Sequence, residues 1–528
     1  MSTVAAETNH PLLTALADVV GSDNLLLDVD QRKLYSCDVY SEGKLCAAVV
    51  RPTSAEQAAA AVRIIAEHGY SIAPRGGGMS YTGGYIPIND TTVMIDTGAM
   101  NQILEINETD MYVTVQAGVT WAQLYEALKP KGLRLPFFGT FSGIRATVGG
   151  GMSNGALFFG TARYGTGADN VLGLEVVLAD GSRLRTGQAA VNNGKPFFRT
   201  YGPDLTGLFT HDAGTLGLKT EATLRLIQWP QESAYLSFVF KGAKEIAGAL
   251  SAVARSGAAE EAYVFDPGST AKNLANADIA SDFKTLAKVI RGQSSLGKGL
   301  KAGAKLVAAG RGFVEEDLFS LHVVCAGRSE AAVNDDVAII RRLAEEHNGE
   351  EIPNSIPMAA RANPFQPLNG VLGAEGDRWA ALNSKVTHSD AAEIIAGFDK
   401  IIEKYQAEME KTGVFVTRLM IAIDTHAFSF EPVFHWFDSW LPLHKKIPEP
   451  SHLKKLKEPA PNAAATELVE RMRQDTIKLF SDMGAASNQI GRTYPYMTSL
   501  KPETAKLLRT IKNAVDEKGL INPGVLGF

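Results

Sequence analysis

Three glycine clusters constrain this chain more than any other feature. Many of its 50 glycines fall in RGGGMSYTGG (75–84), in ATVGGGMSNGALFFGTARYG (146–165) and in AGTLGL (213–218). Glycine reaches positive φ at little cost and has no Cβ, so such runs let backbone amides converge on an anion and let two loops pass closely. One run reads equally well as a surface loop or as a phosphate cradle. Three in order read as successive contacts along one long ligand. A dinucleotide fingerprint must open a helix, but the first cluster runs on to a strand pattern, Val93 to Asp96. A P-loop is excluded because no Gly-Lys-Ser/Thr ending follows.

Charge and cysteine usage narrow the class. With 52 Lys and Arg against 58 Asp and Glu, the chain carries a net charge of −6, which argues against nucleic acid as the main partner. Cys37, Cys46 and Cys325 have no paired spacing, so neither a disulfide framework nor a zinc or iron–sulfur ligand set is expected. The N-terminus shows no basic region followed by an apolar run, and no stretch approaches the length of a spanning helix. The expected setting is cytoplasmic, with the periphery of an inner membrane as the alternative.

Periodicity supplies the elements. Thr53 and Ser54 stand before a helical stripe of Ala58, Ala61, Val62 and Ile65, with Glu56 and Gln57 at capping-box spacing. Short strands are expected at 71–73, 93–96, 103–106 and 112–115. A helix is expected to start at Thr120. A hairpin is expected at 174–185, turning at Ala179-Asp180-Gly181. The stretch 132–168 is long and weakly structured, the mark of a functional segment. After Pro230 glycine thins out and long helical patterns (331–346, 390–410, 464–482) alternate with strands. The chain therefore divides at 1–230, 231–484 and 485–528.

These segments resemble the vanillyl-alcohol oxidase / p-cresol methylhydroxylase superfamily of FAD enzymes, with its D-lactate and glycolate dehydrogenase branch and its 4-phenol oxidases. PRGGGMSYTGG is similar to the family's first FAD loop, and SGIRATVGGGMSNGA with RYGTGADNVLGLEVVLADGSRLRTG to the second. YGPDLTGLFTHDAGTLGLKTEATLRL is similar to the segment at the adenine end, and NAVDEKGLINPGVLGF to the C-terminal signature. The resemblance implies an α+β fold. Its PCMH-type FAD-binding domain has two subdomains, and its inserted cap is an antiparallel sheet flanked by helices. It also implies the cofactor contacts. Pro74, Arg75, Gly76, Gly77, Gly78, Met79 and Ser80, with Gly83 and Gly84, would hold the pyrophosphate. Thr147, Val148, Gly149, Gly150 and Asn154 would line the flavin ring and ribityl chain. Gly214 and Leu218 would meet the adenine side, Asn522 and Pro523 would approach the ring, and Tyr164, Gly165, Leu216 and Gly217 would complete the set.

The implied activity is hydride removal from a CH–OH group, above all of a 2-hydroxy acid such as D-lactate or glycolate, to give a keto acid. A para-substituted phenol or aryl alcohol is the alternative substrate, and a non-catalytic flavin-binding protein the remote one. Arg492 would grip the carboxylate through paired hydrogen bonds. His426 or a pocket tyrosine would take the proton, and in a strand Arg492, Tyr494 and Tyr496 would share one face. Met79 stands where some relatives carry a flavin-linking histidine. Non-covalent FAD is therefore expected, with His426 the attachment point if a covalent link exists. Asn488 and Gln489 stand where the metal-assisted branch has an acid and a ligand histidine, and His322 and His388 stand alone, so no metal is expected. The electron acceptor would be oxygen or a carrier, and a homodimer stays open. Residues 284–311, beginning with Lys284 and ending with Arg311, contain no acid. They read first as a solvated segment, with contact to an anionic membrane or acidic carrier as the functional alternative.

Overall fold

The computed structural model describes residues 10–269 and 318–528, so the basic stretch 284–311 lies outside the described residues. Local chemistry explains where the elements begin. The Ser54 hydroxyl accepts the Gln57 amide at 3.2 Å and starts the helix Ala55–Glu67. Thr120 caps Trp121–Leu128 in the same way, and an N-cap of this kind is worth about 1 kcal/mol. The hairpin pairs Val171–Val177 with Arg183–Arg185.

Two sheets form the part of the fold that carries the glycine clusters. Ser71–Arg75, Thr92–Asp96 and Ala48–Val50 run parallel, with Leu25–Leu26 added antiparallel at the edge. Five further strands make an antiparallel sheet in which Tyr112–Gln116, Leu218–Arg225 and Val171–Val177 are adjacent. Within 132–168 the structure has the helix Val148–Asn154. Its run of three glycines hid it, because glycine is a poor helix former. The last strands of this region lead into an eight-stranded sheet whose members lie between Glu232 and Trp436. The C-terminal residues come back to the first sheet, where Asn522 donates its amide to Ile72 at 2.7 Å.

Strand pairing gives the large sheet two different faces. One row runs Phe238, Leu321, Val264, Met420, Phe430. These side chains are buried with Phe398, Leu468 and Met472 of the covering helices in the main core. Truncating such a core phenylalanine to alanine costs about 3–5 kcal/mol. The neighbouring row runs Ser237, His322, Tyr263, Ile421, Ser429, Lys385. Alternation turns this row to the opposite face, where Tyr263 and Ile421 join the core of the glycine-bearing region.

A buried ion network crosses the same boundary. Arg134 binds Glu260 through two hydrogen bonds of 2.7 and 2.9 Å, and Arg361 reaches both Glu260 and Glu261. Both guanidiniums lie over the ring of Phe138. The two arginines hold the Glu260 carboxyl far below its ordinary range against the opposing effect of burial. Removing one partner of such a group leaves an uncompensated charge, a loss of about 3–5 kcal/mol.

Candidate functional site

The three glycine clusters meet in one cleft of about 880 Å³, part of it continuous with solvent. Pro74, Arg75, Gly76, Gly77, Gly78, Met79, Ser80 and Gly84 form one wall. Thr147, Gly149, Gly150 and Asn154 form a second, and Gly214, Gly217 and Leu218 a third. The loops touch so closely that side chains are sterically excluded. A Cβ on Gly77 would lie 2.1 Å from the Arg145 carbonyl oxygen, and one on Gly76 would lie 2.3 Å from the Thr147 hydroxyl. Gly78 also has φ +69°, which favours glycine there.

Polar groups in this cleft lack partners. Arg75 is 2% exposed, yet its Nε and Nη2 have no hydrogen-bond acceptor. Asn154 Oδ1 and Trp121 Nε1, also at the cleft, are buried and unpaired. Arg145 braces the first loop by donating from Nε to the Gly77 carbonyl at 2.7 Å. Burial, and then the charge of Arg75, hold its guanidinium below its ordinary value. Two guanidiniums beside a glycine cradle leave donors and positive potential for a doubly charged anion, and buried polar groups are otherwise almost always paired. The lining therefore fits the pyrophosphate and polar ring edges of FAD.

Other expected contacts lie off the cleft. Val148 and Leu216 are core residues, and the Tyr164 carbonyl is taken by the Asn170 side chain. Gly165, at φ +72°, packs on Asp169, and the Gly83 amide donates to Asp38. Ser80 does line the cleft, but its hydroxyl donates to Gln489 Oε1 at 2.8 Å, a residue of the same lining, so its proton is not free for a phosphate. Asn522 Nδ2 binds the carbonyls of Gly84 and Ala213, joining the first and third clusters behind the lining. Pro523 supplies a carbonyl to Arg492.

The expected chemistry-bearing residues are placed differently from the sequence reading. Arg492 donates from its two terminal nitrogens to the carbonyls of Gly83, Ile86 and Pro523 at 2.5, 2.9 and 2.8 Å, while its Nε is buried without a partner, so the group serves first to tie backbone together. Its segment is a turn followed by the short helix Tyr496–Ser499, not a strand. Gly491 at φ +53° fits against the Thr82 carbonyl, and Pro495 interrupts pairing. Arg492, Tyr494 and Tyr496 thus do not share a strand face. Tyr496 packs with Ala213, Val525 and Leu526. His426 is exposed in the hairpin turn after Phe415–Ile423, and His388 binds the Thr425 carbonyl beside it. His322 has both ring nitrogens engaged by Ser237 and Ser320 at 2.9 Å, and burial pulls its pKa down to about 3. Among the described residues no three or more His, Cys, Asp or Glu are grouped so as to hold a metal ion.

Beside the cleft the structure assembles a polar group that sequence reasoning missed. Gln489 lines the cleft and reaches Tyr81 Oη at 3.5 Å. Tyr81 and Tyr494 both lie close to Glu431. Tyr494 Oη accepts the Asn383 amide at 2.6 Å, and Asn383 Nδ2 donates to Glu431 Oε2 at 2.9 Å. Burial raises the Glu431 carboxyl to about 7 and the Tyr494 phenol to about 12. Lys385 stands nearby on the strand Ser384–Val386, its amine lowered to about 8 by burial. One signal was available: in Phe428-Ser429-Phe430-Glu431 the alternation sets a carboxylate on the face opposite two core phenylalanines.

A family model described as an FAD binding domain matches residues 46–187, which hold the first two glycine clusters. The chain therefore carries an FAD-binding domain over these residues and is similar to FAD-linked glycolate and D-lactate dehydrogenases. FAD is its cofactor. The chain is 36% identical over 217 residues to the glycolate oxidase subunit GlcD of Bacillus subtilis, covering 41% of this chain and 44% of that protein. It is 23% identical over 480 residues to D-lactate dehydrogenase [cytochrome] 1, mitochondrial, of Saccharomyces cerevisiae, covering 90% of this chain and 71% of that one. The chain thus spans less than half of the first relative's length and most of the second's. A crystal structure of p-cresol methylhydroxylase with substrate bound superposes with a TM-score of 0.71 at 20% identity, covering 98% of this chain and 96% of that one. That likeness shows the shared fold: an FAD-binding region with a cap. No described helix is long and apolar enough to cross a membrane.

Proposed function

We propose that this protein is an FAD-dependent oxidoreductase that removes a hydride from the CH–OH carbon of a 2-hydroxy acid and yields a keto acid. The observation that carries this reading is the cleft, with its glycine walls and the unpaired Arg75 donors, and with Gln489 on its lining leading through Tyr81 toward Glu431 of the large sheet. Likeness to the glycolate oxidase subunit and to the D-lactate dehydrogenase supports the substrate class. FAD supplies the hydride acceptor. The chain supplies placement: backbone at 76–78 and the Arg75 guanidinium would hold the pyrophosphate, while Thr147, Gly149, Gly150 and Asn154 would line the ring portion. In this reading residues 1–230 and 485–528 are the FAD-binding part and 231–484 the cap.

FAD is held without a covalent bond in this reading, since no histidine or cysteine is among the residues lining the cleft. Acid precipitation tests it: the flavin colour should stay in the supernatant. Partners are a small hydroxy acid and an electron acceptor, either oxygen or a carrier. The phenol and aryl alcohol reading has support in the shared fold and in Tyr81, Trp379 and Tyr494 at the cap side. The engagement of Arg492 weakens it, because both terminal nitrogens of that guanidinium are held by backbone carbonyls. One screen separates these readings. Anaerobic bleaching near 450 nm by D-lactate or glycolate, and not by 4-alkylphenols, is the expected result. Bleaching by phenols alone overturns the hydroxy-acid reading, and no bleaching by either class favours a non-catalytic flavin protein.

A further inference from the structure

We propose that the sheet face bearing Asn383, Lys385 and Glu431 is the substrate wall, where Lys385 holds the carboxylate of the hydroxy acid and Glu431 accepts its hydroxyl proton. This rests on the hydroxy-acid reading above and names the residues that perform it.

Strand register brings these groups together. Lys385 pairs with Ser429, and Glu431 lies two residues further along the same strand, on the same face. That face is the one whose Tyr263 and Ile421 pack on the FAD-binding region, so its polar members lie on the side of that region and not in the helical core. Diagonal neighbours of this kind have backbones about 7–8 Å apart, a gap that a lysine arm and a small hydroxy acid close together. The strap after the helix Ala463–Asp482 joins the wall to the cleft. Ala486 exchanges backbone hydrogen bonds with Lys385, the Asn488 carbonyl meets His211, and Gln489 reaches the cleft lining.

The unmet bonding of the two groups points to a ligand. Lys385 is partly buried, and its amine has no hydrogen bond or ion pair among the described residues. Asp169 and His211 face it, and burial keeps His211 neutral with a pKa of about 4. Partial burial disfavours the charged amine, and an anionic ligand would offset that cost. Glu431 accepts one hydrogen bond, from Asn383 to Oε2, while Oε1 has no protein donor among the described residues. Tyr81 and Tyr494 are the other ionisable groups around it, and Arg473 lies close to both tyrosines. The hydrogen on C2 leaves with two electrons as hydride to the flavin, the hydroxyl proton passes to Glu431, and the C2–O bond becomes a carbonyl. Lys385 stays protonated throughout and keeps the carboxylate in place.

The test uses the purified holoprotein with the hydroxy acid that bleaches it and with oxamate, an unreactive 2-oxo-acid mimic. In Lys385→Met, oxamate affinity measured by calorimetry should fall at least 30-fold and KM should rise by a similar factor. Flavin content should be unchanged, and Lys385→Arg should restore part of the affinity. In Glu431→Gln, the anaerobic flavin reduction rate at saturating substrate should fall about 10²–10³-fold while oxamate still binds. Wild-type kcat/KM should rise through pH 7 and fall above pH 8, and the rise should vanish in Glu431→Gln. Oxamate binding by Lys385→Met within twofold of wild type, or an unchanged pH rise in Glu431→Gln, overturns the assignment while leaving the hydroxy-acid reading intact. If wild type neither bleaches with any hydroxy acid nor binds oxamate, the functional reading fails and this assignment falls with it.

Discussion

The cofactor cleft and the cap-sheet wall adjoin, yet they are built by opposite means. The cleft is made of backbone: Gly76 and Gly77 sit where a Cβ would lie 2.3 and 2.1 Å from atoms of the facing loop. The wall is made of side chains on neighbouring strands, with Asn383, Lys385 and Glu431 meeting through pairing register. A backbone site tolerates almost no substitution but needs only glycine. A side-chain site tolerates substitution structurally and loses chemistry instead. Variants on the two sides should therefore fail in different ways.

The largest effect is expected at Gly77. A valine there must displace the Arg145 carbonyl and the loop beyond it, so Gly77→Val should yield protein with little FAD and a much lower unfolding midpoint. The ratio of absorbance at 450 to 280 nm on the purified variant is the measurement. Near-normal flavin content would place the cofactor elsewhere and break the comparison.

Arg492 comes next. It ties Gly83, Ile86 and Pro523 together by three hydrogen bonds from a charged group, each worth about 1.5–3 kcal/mol when the carbonyls are left buried. Arg492→Met should lower the unfolding midpoint and loosen FAD, while KM for the hydroxy acid in the fraction that keeps flavin stays near wild type. A selective rise in KM at full flavin content would return Arg492 to the substrate.

Glu431 tests the wall without reference to turnover. Its carboxyl is raised from 4.5 to about 7 in the fold, so the protonated form is the one the fold favours. Its contribution to stability is full below about pH 4.5 and is lost as pH rises through 7. Glutamine cannot ionise. Glu431→Gln should thus match wild type near pH 4.5 and exceed it at pH 8, by at most about 3 kcal/mol. Thermal unfolding at the two pH values reads this out, and a pH-independent difference would mean that the carboxyl is well solvated. The smallest effect is expected at His426. It is exposed on a hairpin turn, so His426→Ala should leave flavin content and the rate of bleaching unchanged, and released flavin in that variant alone would make it an attachment point.

Much of the frame was legible along the chain. Ser54 and Thr120 announced their helices because a cap bonds to an amide three residues on. The glycine clusters announced the cleft for a similar reason. The absence of a Cβ is a property of each residue itself, and only a few backbone arrangements require it. Their resemblance to known FAD loops rested on the same residues. Tertiary structure decided everything that depends on distant partners. Whether Arg492 meets a substrate or three carbonyls was settled by Gly491 and Pro495, which turn the chain where alternation would have made a strand. Whether Lys385 and Glu431 face each other's neighbourhood depends on the pairing of Ser384–Val386 with Ala427–Trp436. A slip of one residue there would send Lys385 to the face opposite Glu431. That register is set by the packing of Phe428, Phe430 and Met420 under the helices. It is a sum over contacts far apart in sequence, which no local pattern encodes.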